Sequence, residues 1–120
     1  MDDFRSQQEQ LRDRTKQFAL RIIRLVRNLP KSSEAQILGK QLLRSGTSVG
    51  ANYRAAGRAR SKAEFVSKIG IVVEEADETV FWLECLVESG IVGEHLLKDL
   101  LTEANELVAI FAASQRTARS

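Results

Sequence analysis

Glycines at positions 39, 46, 50 and 57 recur at spacings of 7, 4 and 7 within residues 33–60, SEAQILGKQLLRSGTSVGANYRAAGRAR. Loops have no reason to keep a period, and no proline follows Pro30. The stretch therefore reads as one helix rather than as a loop punctuated by Gly and Ser. At about 100° per residue it sorts into three stripes. Leu38, Leu42, Ser45, Val49 and Ala56 form an apolar face. Gly39, Gly46, Gly50 and Gly57 form a seam where another backbone can approach closely, and Lys40, Arg44, Arg54 and Arg58 form a basic ridge beside it. Each helical glycine costs about 1 kcal/mol relative to alanine. A close contact is expected to offset that cost, so the glycine face should meet another helix, in the same subunit or a neighbour.

The rest of the chain supplies such helices. Helix 1 is expected at about residues 7–28, with Leu11, Phe18, Ile22, Leu25 and Leu29 as its core stripe and residues 1–10 largely frayed. Pro30 stops it. Ser33, paired with Gln36, is expected to cap a second helix over about 34–59. Ser61 and Glu64 form another capping box, opening a third helix over about 62–89 that carries Phe65, Ile69, Val72, Ala76, Val80, Leu83 and Val87. Gly90 suits the position just past its end. A fourth helix, about 94–114, turns Leu97, Leu100, Leu101, Ala104, Leu107, Val108 and Phe111 inward and leaves a ragged polar tail. The fold class expected is all-α, a single domain over residues 1–120 forming an antiparallel up-and-down four-helix bundle.

The charge is lopsided. Residues 1–68 carry 15 Lys or Arg against 6 Asp or Glu, and residues 69–120 carry 3 against 10. Either basic helices pack beside acidic ones, or the basic half faces a polyanion. The lone cysteine, Cys85, cannot form an internal disulfide. No apolar leader or membrane-length apolar run is visible, so a cytoplasmic setting without membrane is expected.

Recognisable catalytic chemistry is missing. Glu74, Glu75, Asp77 and Glu78 form an acidic cluster, but no Glu-x-x-His accompanies it, so no metal site is expected. Glu75 is a candidate for pairing with an arginine. His95 and Cys85 have no partner in sequence, and no P-loop, GxSxG or CxxC occurs. No catalytic residues and no cofactor are expected, and the chain is read as non-enzymatic. Arg14, Arg21 and Arg24 read as a solvated basic face. The candidate nucleic-acid site is the ridge Lys40, Arg44, Arg54 and Arg58, continuing into Arg60 and Lys62. From Lys40 to Arg58 it extends roughly 27 Å, long enough to follow several phosphates. Core or subunit packing is the default reading of Phe81, Trp82 and Tyr53; stacking on a base is the alternative for Tyr53 alone, given Arg54 and Asn52 beside it.

From Ser45 to Gly90 the sequence resembles a bacterial four-helix-bundle family. That family includes the ribosomal-RNA intervening-sequence proteins and the accessory variability determinant of diversity-generating retroelements. The residues that carry the resemblance are Ser48, Val49, Asn52, Tyr53, Arg54, Arg58, Ser61, Phe65, Lys68, Glu74, Glu75, Glu78, Thr79, Trp82 and Leu83. Helix 1 fits as well, and the resemblance covers about residues 11–112. One position departs: Ala55 stands where the family often has Glu, which leaves a basic neighbour free or rearranges its contact. The resemblance implies a bundle assembled as a homo-oligomeric ring, typically a pentamer, with a basic surface for RNA or DNA. It also implies a protein partner such as a reverse transcriptase in some members, and no established enzyme activity.

Two readings follow. In one, the bundle binds nucleic acid through helix 2 and the bend after it. In the other, it is a structural or adaptor protein whose ridge serves subunit or partner contacts. Helix-packing and oligomer positions are expected at Gly39, Gly46, Gly50, Gly57, Asn52, Tyr53 and Trp82.

Overall fold

Four helices account for nearly all of the chain in the computed structural model, which describes residues 2–120, with side chains from residue 6 on. They are α1 (Asp2–Arg27), α2 (Ser33–Ala56), α3 (Lys62–Glu88) and α4 (Glu94–Arg119), and no strand occurs among the described residues. Met1, in the stretch expected to fray, lies outside them. Two helices run further than expected: α1 is already helical at Asp2, and α4 continues through the tail to Arg119.

The ends follow capping chemistry. Ser32, not Ser33, caps α2: its backbone is extended and its hydroxyl accepts from Ala35 N at 3.3 Å. Gln36 turns away from that cap and donates to Pro30 O at 2.8 Å. Ser61 caps α3, accepting from Glu64 N at 3.0 Å. Helix α2 ends at Ala56 rather than near residue 59, with Gly57 as its C-cap. After α3, Gly90 adopts a φ of 79°, a left-handed conformation that glycine enters without the strain a Cβ would bring. That turn lets Gly90 N reach Val87 O and Val92 N reach Leu86 O.

Helices adjacent in sequence pack together, while α1 and α4 meet only lightly. Contacts along α2 give its direction relative to α1. Gly39 lies against Leu29 and Val26, Gly46 against Ile22, and Gly50 against Thr15, so α2 descends along α1. A Cβ on Gly46 would sit 2.8 Å from Ile22 Cγ1, so the absent side chain is what lets Ile22 fill the space. On the other flank, the Ser45 and Thr79 hydroxyls lie 3.1 Å apart; Thr79 donates its proton to Glu75 O, so it accepts from Ser45. This explains a serine on the apolar face: two buried hydroxyls satisfy each other between α2 and α3. Where α3 meets α4, Gln115 donates to Val66 O at 3.4 Å.

The core is continuous. Phe18 and Ile22 of α1, Leu42 and Val49 of α2, Ile69, Val72 and Leu83 of α3, and Leu97, Leu107 and Phe111 of α4 are buried. Their spacing is the helical period read from the sequence. The molecule is elongated, with extents of 47 × 23 × 20 Å.

Candidate nucleic-acid interface

The basic residues of α2 do not form one continuous ridge, because their neighbours on α1 and α3 treat them differently. Arg44 faces α3 and is held there by two carboxylates. Nη1 reaches Glu75 Oε1 at 3.1 Å, and Nη2 pairs with Glu78. Glu78 also accepts from Trp82 Nε1 at 2.9 Å. Its carboxyl is held below the usual range, first by the Trp82 hydrogen bond and then by Arg44. Arg44 is therefore engaged within the chain.

Arg54 and Arg58 face α1. Across the seam stand Arg12 and Lys16, one turn apart on α1. Arg12, Lys16, Ala19, Thr47, Gly50, Ala51 and Arg54 line one open cleft, and Glu9, Arg12, Asp13, Lys16 and Arg54 line a neighbouring one. At the end of the groove, a cavity of about 200 Å³ is lined by Gln8, Arg12, Tyr53, Arg54, Gly57, Arg58 and Phe65. Arg12 and Arg54 border all three spaces. Among the described residues, Arg12, Lys16, Arg54 and Arg58 make no ion pair, although Glu9 and Asp13 lie nearby. Ala55, between Arg54 at the end of α2 and Arg58 just past it, contributes no acid.

The other candidate residues are scattered. Lys40 is exposed on α2, outside the groove, and Arg60 is exposed in the α2–α3 connection. Lys62 opens α3 and donates to Ser120 O at 3.2 Å. Gly57 ends α2 and leaves the helix seam; a Cβ there would meet only carbonyl oxygens of its own last turn, at 3.4 Å and beyond. Asn52 donates to Ser48 O within its own helix. Trp82 is half-buried and edge-on to Phe81, with ring centroids 4.9 Å apart.

Tyr53 takes the packing role among the two expected for it. It is 7% exposed, and its ring tilts on Phe111 with centroids 5.0 Å apart. Burial pushes its phenol up, and the nearby Arg12 charge opposes that rise. The aromatic half-open to the cavity is Phe65.

Arg12 and Lys16 escaped sequence reasoning because they belong to α1. The available signal was their i, i+4 spacing, matching that of Arg54 and Arg58, together with Thr15 as the small residue that a glycine seam can meet. Arg14, read as solvated, has the opposite fate. Its guanidinium forks onto Glu103 of α4, with Nε and Nη2 each at 2.7 Å, and Nη2 reaches Glu106 at 2.6 Å. The Glu103 hydrogen bond is the main reason its charge is held more firmly than usual.

The family model described as 23S rRNA-intervening sequence protein matches residues 7–113. A crystal structure of a protein with unknown function from the S23 ribosomal protein family of Bacteroides thetaiotaomicron is similar. It is 32% identical, covers 91% of this chain and 97% of its own, and superposes with a TM-score of 0.84. No curated protein matches. No helix among the described residues is long and apolar enough to cross a membrane.

Proposed function

We propose, from the premise that this chain belongs to the 23S rRNA-intervening sequence protein family, that it is a non-enzymatic bundle that binds nucleic acid along the α1–α2 groove. The observation that carries this is the convergence of Arg12, Lys16, Arg54 and Arg58 without an acidic partner among the described residues. Elsewhere on the same helices, arginines that serve the fold are met by carboxylates, as Arg14 and Arg44 are. A groove of unpaired cations suits a phosphate backbone, whose binding releases counterions.

The functional unit in this reading is a homo-oligomeric ring of up-and-down bundles. Exposed Ile37, Phe81 and Leu96 support it, as large apolar side chains that a second copy would cover.

Fluorescence anisotropy with a labelled structured RNA and a labelled duplex DNA tests the binding claim. Four phosphate contacts give a log–log salt slope of about −3.6 on duplex DNA, roughly a 100-fold loss between 50 and 200 mM salt. Absence of binding at low salt would contradict the proposal and direct the search to a protein partner.

A further inference from the structure

We infer that the cavity at the end of the groove holds one unpaired nucleotide, so that the protein prefers looped or single-stranded nucleic acid to continuous duplex. This rests on the nucleic-acid reading above and deepens it.

Three features of the cavity lead there. The first is charge. Arg12, Arg54 and Arg58 border about 200 Å³ with no carboxylate in the lining and no ion pair among the described residues. Like charges gathered around a small space repel each other unless an anion enters, and the guanidinium fork matches a phosphate. The second is the aromatic wall. Phosphate alone needs no Phe65, whereas single-strand sites combine cations with a ring on which a base stacks. The Tyr53 ring is engaged by Phe111, and Tyr53 also lines the cavity with its hydroxyl unbonded. Neither that hydroxyl nor the Gln8 amide makes a hydrogen bond within the described residues, and both suit a base edge.

The third is Gly57. Its φ of −64° and ψ of −15° are open to any residue, and its own turn would accommodate a Cβ. Backbone geometry does not demand glycine there; its lack of a side chain leaves the cavity beside it open. A paired strand presents phosphates and keeps its bases stacked inside, so it can use the arginines but not Phe65.

The test compares a labelled RNA hairpin carrying an unpaired loop with a fully paired RNA duplex of equal length at one ionic strength. Wild type should bind the hairpin about tenfold more tightly, the order of one base–aromatic stack. Gly57→Leu, which fills the floor without removing a charge, should bring hairpin affinity down to that of the duplex. Phe65→Leu should do the same, and circular dichroism should show both variants folded. Equal affinities in wild type, with no response to either variant, would overturn this inference and leave the groove reading standing. Binding of neither probe would overturn both. Uridine monophosphate binding more tightly than the hairpin would assign the cavity to a small free ligand and overturn the strand claim.

Discussion

The two flanks of α1 are closed by different means. Toward α2 the helices approach through shape: Gly39, Gly46 and Gly50 make room for Leu29, Ile22 and Thr15, and the cations on the rim make no ion pair among the described residues. Toward α4 the contact is slight, and Arg14 bridges it with a fork on Glu103 and a further bond to Glu106. The α2–α3 side packs closely, and its arginine, Arg44, is likewise met by carboxylates. Where a cation supports this fold, a carboxylate meets it. The rim of Arg12, Lys16, Arg54 and Arg58 breaks that rule because the glycine seam holds the helices together without it.

The sharpest way to break the contrast is at the glycines. Gly46→Val places methyl groups where Ile22 already sits and should cost about 3 kcal/mol by urea denaturation. A loss below 1 kcal/mol would mean that the seam is looser than described.

The combined variant Arg12→Ala/Arg54→Ala/Arg58→Ala should lose roughly 100-fold in nucleic-acid affinity at low salt while its melting temperature holds or rises. Removing unpaired like charges relieves repulsion instead of breaking a pair. A marked fall in melting temperature would show the rim to be structural.

Arg14→Ala should cost about 1 kcal/mol, since a bidentate, partly buried pair is worth more than an ordinary surface one. Its pH signature is specific. Arg14 holds the Glu103 carboxyl below its ordinary value of 4.5. The stability from that pairing is fully present above about pH 4.5 and is lost as pH falls through the lower folded-state value. Thermal melts between neutral and acid pH should therefore fall less steeply in Arg14→Ala than in wild type. Arg44→Ala, at an exposed site, should shift the melting temperature least, because solvent screens that pair.

Much of the fold was legible in order: four apolar stripes, the Ser61 cap, the Gly90 turn and the seam of small residues on α2. Local rules set each of these. The cap at Ser32 was missed because Ser33, not Ser32, has a glutamine three residues on, and only the backbone shows which serine is extended. Gly57 was read into the seam because it keeps the period, yet the helix ends there. The candidate site was half legible. Arg54 and Arg58 stood out at the end of α2 and just past it, but their neighbours Arg12 and Lys16 depend on the α1–α2 register, which Gly50 meeting Thr15 establishes in three dimensions. Glu75 was read as a candidate for pairing with an arginine, but the same limit hid that the partner is Arg44, more than 30 residues away, and that Glu78 shares it.

One measurement tests the division between these arginines most directly: the slope of log affinity for duplex DNA against log salt, in wild type, in Arg14→Ala/Arg44→Ala and in Arg12→Ala/Arg54→Ala/Arg58→Ala. The slope should be unchanged in the first variant and shallower by about 2.7 in the second, roughly 0.9 for each lost phosphate contact. An equal change in both, or a change confined to the first, would contradict the assignment of the groove.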